Sequence, residues 1–206
     1  MSLATRDSGS PIGKLCRVVT VPCQASASPK THCRCTNGSM NDRKPQVRTA
    51  GIGDLDALVA GNLALAEESE RVRLDADTLR QGIRALLESR APGRYWVAEV
   101  EGRVVGQLLI TFEWSDWRNR MVWWIQSVYV APYARGRGVL RTLYDAARRE
   151  ALASGSGGLR LYVDTTNIQA QAVYAALGMN GDHYRVFEDM FAEPPRSADP
   201  GPALRY

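Results

Sequence analysis

The sequence 121–144, MVWWIQSVYVAPYARGRGVLRTLY, combines three local patterns. An apolar and β-branched run predicts a buried strand, and the Ala131-Pro132 pair ends it because proline cannot donate to a strand ladder. Glycines follow at positions 136 and 138, and apolar residues then recur at the three- and four-residue spacing of one helix face. The stretch therefore predicts a strand, a glycine turn and a helix.

A glycine turn that leads into a helix is suited to binding a phosphate group. The first four N–H groups of a helix lack intrahelical partners, and the helix dipole adds partial positive charge at that end. Glycines let a phosphate approach the backbone closely, and Arg135 and Arg137 would add full charges beside it. The alternative interpretation is an ordinary tight turn with two solvated arginines, since short glycine motifs also occur by chance.

Length and hydropathy predict one domain and no membrane span. The chain has 206 residues, of which 45% are hydrophobic, and this is enough for one well-buried domain. No apolar run reaches the roughly 18 residues that a membrane-spanning helix needs. We therefore expect no membrane partner.

The charge of the chain is unevenly distributed. Residues 1–44 contain seven Lys and Arg against two Asp and Glu, a net charge of +5, so the remaining residues carry −1 of the +4 total. A nucleic-acid-binding domain would need a concentrated basic face. A nearly neutral domain therefore predicts no nucleic-acid partner.

All four cysteines, Cys16, Cys23, Cys33 and Cys35, lie within the first 35 residues. A disulfide-stapled secreted domain would carry cysteines through its core, so the pattern favours a cytoplasmic domain. The Cys33-Arg34-Cys35 spacing lacks the two- to four-residue spacer of zinc sites, and no second pair follows. We therefore predict no metal.

Both ends of the chain have the composition of disordered segments. Residues 1–44 are basic and rich in Ser, Thr and Pro, and residues 193–206 are rich in proline. The first segment fits either an organelle transit peptide or an over-long gene model in which Met40 is the true start. The predicted domain is residues 45–192.

Within that domain the patterns predict the order β α α β β β α β α β. Gly53-Asp54 is a predicted cap for a first helix that reaches about Glu68, and Asp75 or Asp77 caps the second helix. A short turn at 101–103 joins two strands as an antiparallel hairpin. A last strand is expected around 183–187. Strands alternating with helices in this way predict an α/β fold with a mixed sheet flanked by helices.

Two separated motifs in this order resemble the GNAT acyltransferases. The first is Arg135-Gly136-Arg137-Gly138, and the second runs from Asn167 through Tyr174 to Gly178-Met179. The resemblance covers about residues 45–190. The family pattern is Arg/Gln-x-x-Gly-x-Gly/Ala, and Leu140 stands where the family usually has a small residue.

The resemblance implies an N-acetyltransferase that uses acetyl-CoA as a cosubstrate, acts through a ternary complex, and needs no metal. It implies that the cofactor arm pairs with the strand backbone before the turn and that the pyrophosphate lies on the turn. Tyr174 would protonate the departing thiolate, and the N–H group of Val130 would contact the oxyanion. The implied cofactor-binding residues are Val128, Tyr129, Val130, Arg135, Gly136, Arg137, Gly138, Val139 and Asn167.

Alternative roles remain for several of these residues. Asn167 is also a good helix cap, and Tyr174 on an apolar helix face has the pattern of a core tyrosine. Glu113 is the predicted base, with Asp116 as the alternative, because both follow the third strand. The amine acceptor could be a small amine, an amino acid or a protein amine.

Two alternative hypotheses concern the function of the whole chain. It could be a CoA-binding interaction module without catalysis, or another kind of phosphate-ligand enzyme, although it lacks the Gly-x4-Gly-Lys-Ser/Thr loop. A homodimer is consistent with the resemblance.

Overall fold

The computed structural model describes residues 44–89, 92–189 and 191. The predicted N-terminal extension up to residue 43, with its four cysteines, and the predicted tail 193–206 lie outside the described residues. The described part contains five strands and four helices, in the order β1 (Gln46–Thr49), α1 (Leu55–Glu70), α2 (Ala76–Ser89), β2 (Gly93–Val100), β3 (Arg103–Ser115), β4 (Arg120–Val130), α3 (Val139–Ala153), β5 (Leu159–Leu161) and α4 (Ile168–Ala176).

The strands form one mixed sheet in the order β1-β2-β3-β4-β5. The first four strands pair antiparallel with their neighbours, and β5 pairs parallel with β4. Parallel neighbours need a crossover connection, and α3 supplies it. The α/β fold with a mixed sheet and the predicted order of elements through α4 are thus confirmed.

Two buried clusters lie on opposite faces of the sheet, as the alternation of side chains along strands requires. The larger cluster joins α3 to the sheet through Leu143 and Ala147, which are fully buried. The smaller cluster joins α1 and α2 to the other face through Leu58 and Ile83. The helices therefore cover both faces and leave the edges of the sheet for binding.

The strand β4 contains a β-bulge at Gln126. Leu109 of β3 pairs with Ser127, whereas the next residue, Ile110, pairs with Ile125, so Gln126 is the extra residue. The bulge changes the phase of the side-chain alternation. The residues of β4 in the α3-side cluster are Trp123 and Ile125 before the bulge, and Val128 and Val130 after it.

The hairpin between β2 and β3 forms as predicted. Glu101 and Gly102 both have positive φ, 54° and 72°, which is the backbone conformation of the two-residue turns that match strand twist. This turn aligns β2 with β3 over eight register pairs, from Val100 opposite Arg103 to Gly93 opposite Thr111.

The expected last strand at 183–187 is wrong. Residues 184–189 have no regular secondary structure, and the side chains of Tyr184 and Phe187 are 85% and 93% exposed. A strand needs a partner edge for its backbone hydrogen bonds. The strand β5 has only three residues, and no described strand pairs with its outer edge.

Asp54 lies at the predicted N-terminal cap of α1, but its carboxylate does not cap the helix. It accepts a hydrogen bond from the N–H group of Gly51 at 2.8 Å and forms an ion pair with Arg48 at 2.7 Å. The Arg48 guanidinium lowers the pKa of the Asp54 carboxyl below its usual value. Asp54 therefore fastens the start of α1 to β1.

The second helix has its cap at Asp75, which decides between the two predicted candidates. The Asp75 Oδ1 atom accepts the N–H group of Thr78 at 2.8 Å. We expect Asp75→Ala to lower the free energy of unfolding by about 1 kcal/mol, because one helix-end donor loses its acceptor. Asp77→Ala, two residues further along and in the first turn of α2, is the control and should lower the free energy of unfolding by less. Urea unfolding measures both, and equal losses would contradict the assignment.

Candidate functional site

The glycine turn lies between β4 and α3, where the sequence predicts it. Gly136 and Gly138 have positive φ, 73° and 75°, which side chains with a Cβ rarely adopt. A Cβ atom at either position would meet no other atom within 4 Å. The glycines are therefore required by backbone conformation, and the space outside the turn is open.

The first turn of α3 begins at this open space. Gly138 is the N-terminal cap residue of α3, and no side chain caps the helix there. The helix runs for 15 residues, so its N–H groups and dipole favour an anion at this end. Leu140, the departure from the family pattern, packs against the α3-side cluster and leaves the turn exposed.

Within the part of the chain that the structure describes, the backbone of β4 has one unpaired edge after the bulge. β5 follows β4 only from Trp123 to Ile125, while β3 pairs with the opposite edge as far as Val130. The N–H group of Ala131 donates to the Val105 carbonyl on the β3 side at 2.9 Å. Successive N–H groups alternate between edges, so that of Val130 points to the unpaired side. We call this side of residues 126–130 the open edge.

The sequence predicts that Arg135 contacts a bound phosphate, but its side chain contacts other parts of the protein. Its Nε atom donates to the Val130 carbonyl at 2.8 Å, and its Nη2 atom lies 2.6 Å from Glu68 Oε2. Its guanidinium lies over the ring of Tyr129, 5.8 Å from the centroid. The side chain is 9% exposed. Arg135 thus joins the open edge to α1, and Arg137 beside it is exposed.

The second motif places Asn167 and Tyr174 on α4. The Asn167 Oδ1 atom accepts the N–H group of Ala170 at 3.0 Å, so the predicted cap is confirmed. Tyr174 is 4% exposed and belongs to the same buried cluster as Val128 and Val130 of the open edge. The Arg141 guanidinium of α3 donates to the Ala176 carbonyl at 3.3 Å, which fastens the end of α4 to the first turn of α3.

Glu113, the predicted base, lies in a cluster of polar and aromatic side chains on β3, β4 and β5. One carboxylate oxygen accepts from Arg160 at 3.0 Å, and the other accepts from the indole Nε1 of Trp124. The Trp124 ring packs against Tyr162 with centroids 4.5 Å apart, and the Arg160 guanidinium lies 5.7 Å from the Trp124 ring. Asp116, the alternative base, is exposed and accepts its neighbour's N–H group at Trp117.

The four tryptophans around this cluster differ in exposure. Trp123 is 4% exposed and belongs to the core, whereas its neighbour Trp124 points to the opposite face. Trp114 and Trp117 are exposed. The Trp124 ring is placed beside both a carboxylate and a cation.

Sequence reasoning missed Arg160, Tyr162 and the bulge at Gln126. The sequence carries no signal for the bulge, because residues 121–125 are apolar throughout and show no alternation that a bulge could shift. Gln126 donates to the Thr111 hydroxyl at 2.7 Å, which holds the bulge against β3. The contact between Glu113 and Arg160 spans 47 residues, and no local pattern predicts it.

Among residues 44–89, 92–189 and 191, no three His, Cys, Asp or Glu side chains are grouped so that they could hold a metal ion. The same part of the chain has no helix that is long and apolar enough to cross a membrane.

The described chain is a mixed α/β fold in which a bulged central strand precedes a glycine turn at the start of α3. The profile of the acetyltransferase (GNAT) family matches residues 62–179, more than half of the chain. The protein belongs to the GNAT acetyltransferase family. Its fold is similar to a possible acetyltransferase from Clostridium difficile 630, with 38% identity, a TM-score of 0.68, and coverage of 72% of this chain and 99% of that one.

Two other relatives differ in how much they share with this chain. A thialysine N-epsilon-acetyltransferase of Bos taurus is 36% identical over 75 residues, which are 36% of this chain and 44% of that protein. The match thus spans less than half the length of this relative. An aminoglycoside N-acetyltransferase solved in complex with CoA is 17% identical, with a TM-score of 0.61 and coverage of 73% and 99%. At that identity the similarity shows the fold alone.

Proposed function

We propose that this protein transfers the acetyl group of acetyl-CoA to a primary amine within a ternary complex. The observation that carries the proposal is the open edge of β4, which leads directly into a glycine turn with two left-handed glycines. An extended ligand arm can pair with such an edge as an added strand, and an anion can bind at the helix start. Membership of the GNAT family supports the same reading.

The residues at this place fit acetyl-CoA in shape and charge. Val128 and Val130 offer backbone groups along the open edge, and the turn from Gly136 to Val139 offers N–H groups toward open space. Arg137 is exposed beside the turn and would add positive charge. Arg135 contributes by holding the Val130 carbonyl, and Asn167 by fixing the start of α4.

The thioester supplies an activated acetyl group, so the protein needs no covalent intermediate of its own. The N–H group of Val130, which points to the open edge, is the donor for the charge that develops on the thioester oxygen. Tyr174 gives a proton to the departing sulfur. Glu113 is the base that we propose for the amine. Hydrogen bonds from Arg160 and Trp124 use two of the roughly four acceptor positions of its carboxylate, so a further hydrogen bond from the amine can form.

The acceptor that we propose is a small amine of the lysine-analogue type. The relative from Bos taurus is named for thialysine, which supports an amine at the end of a flexible chain. The carboxylate of Glu113 lies beside Trp124 on the sheet, and a carboxylate attracts an ammonium group.

Acetyl transfer by the full chain tests this proposal. We would incubate the protein with acetyl-CoA and either thialysine, lysine or a lysine-containing peptide, and detect the acetylated product by mass spectrometry. Product with thialysine or lysine is the expected result. Tight binding of acetyl-CoA with no product from any of the three would favour the non-catalytic CoA-binding module instead.

A further inference from the structure

The last turn of α1 contacts a side chain that is distant in the sequence. Its last turn contains Glu67 and Glu68 and no basic residue. Acidic residues near a helix C-terminus face the negative end of the dipole and destabilise that end. The helix also ends on Arg71, a non-glycine residue in the left-handed conformation with φ 55°, which adds strain.

Arg135 adds a positive charge to this turn from a distant part of the chain. Its Nη2 atom lies 2.6 Å from Glu68 Oε2, and the hydroxyl of Tyr129 lies 3.4 Å from the other oxygen of Glu68. The Arg135 side chain is 9% exposed and the Glu68 side chain 29%, so the arginine is the more buried partner of the pair. The pair joins residues 67 positions apart.

Glu68 and Arg135 also contact the segment of β4 where the proposed function places the cofactor. Arg135 also donates to the Val130 carbonyl, and Tyr129 lies on β4 beside the open edge. A ligand that pairs with this edge and binds the turn would restrict the same backbone that anchors Glu68.

We propose that Glu68 and Arg135 form a latch that positions the last turn of α1 and couples it to cofactor binding at the open edge of β4. The coupling rests on the proposed function, whereas the latch itself does not. Glu68 is a positioning residue, because it acts on α1 through Arg135 and touches no reacting atom. Since α1 leads directly into the connection to α2, cofactor binding would order that connection as well.

Hydrogen exchange of the full chain, with and without saturating acetyl-CoA, tests both statements. In the wild type we expect acetyl-CoA to slow exchange in a peptide covering 65–72 by about threefold to tenfold. Glu68→Gln should bind acetyl-CoA and lose this slowing. Its exchange without ligand should already be about threefold to tenfold faster than in the wild type. Glu67→Gln is the matched control, since this exposed neighbour lies in the same turn, and it should behave as the wild type.

The Arg135→Gln variant and the double variant separate the latch from a local effect of Glu68. If the two side chains stabilise the turn through their contact, the amides of the double variant should exchange no faster than those of the faster single variant. Additive acceleration, or unchanged exchange in Glu68→Gln without ligand, would overturn the latch. Slowing by acetyl-CoA in Glu68→Gln equal to that in the wild type, or binding without slowing in the wild type, would overturn the coupling. A folded wild type that binds no acetyl-CoA would overturn the proposed function and the coupling, while the ligand-free comparison would still decide the latch.

Discussion

Replacing Gly138 with glutamate is expected to weaken acetyl-CoA binding by at least about hundredfold, about 3 kcal/mol. The new carboxylate would stand in the open space at the start of α3, where the dipole and the N–H groups favour an anion from the ligand. A second negative charge would repel the phosphates and occupy their place. Isothermal titration calorimetry of the full chain measures the affinity.

Gly155→Glu is a matched control for this substitution. Gly155 also has a left-handed backbone, φ 72°, and a Cβ atom there would meet nothing within 4 Å. It follows the other end of the same helix, far from the turn in sequence. Both variants should therefore lose similar stability from backbone strain, about 1–2 kcal/mol, and only Gly138→Glu should lose binding. Equal affinities in the two variants would refute the assignment of the phosphate site.

The second large effect is expected from Tyr174→Phe, which should lower the rate of acetyl transfer by about hundredfold, because the departing thiolate loses its proton donor. Acetyl-CoA affinity should change by less than about threefold, since backbone groups of β4 and the turn provide most of the binding. Single-turnover kinetics with an amine acceptor, set beside calorimetry, separates the two quantities.

Tyr144→Phe is the control for loss of a buried tyrosine hydroxyl. Tyr144 is 7% exposed and lies in the same core cluster on α3, but it has no proposed part in the reaction. Its variant should keep the wild-type rate. If both variants keep that rate, Tyr174 is a core residue, as its helix pattern alone would indicate.

The parts of the fold that follow local rules were predictable from the sequence. Asn167 and Asp75 cap their helices through hydrogen bonds three residues along the chain. The left-handed Gly136 and Gly138 follow from glycine's lack of a Cβ atom. Each of these structures depends on a few neighbouring residues, so a short window of sequence contains the necessary information.

The parts that depend on distant partners were not predictable in this way. The contacts of Glu68 with Arg135 and of Glu113 with Arg160 join residues 67 and 47 positions apart. The sequence predicts a first helix that reaches about Glu68, and the structure extends α1 to Glu70. The expected strand at 183–187 failed for a related reason, because its alternating pattern says nothing about whether a partner edge is available.

The most direct test of the account is a residue-resolved NMR titration of the 206-residue chain with acetyl-CoA. If acetyl-CoA binds as proposed, we expect saturable shifts of the amide signals of Val128, Val130 and the turn from Gly136 to Val139, with α2 (Ala76–Ser89) unaffected. Such a result would place the cofactor on the open edge and the helix start together. Saturable binding that leaves these amides unchanged, or no binding by the folded chain, would contradict the account.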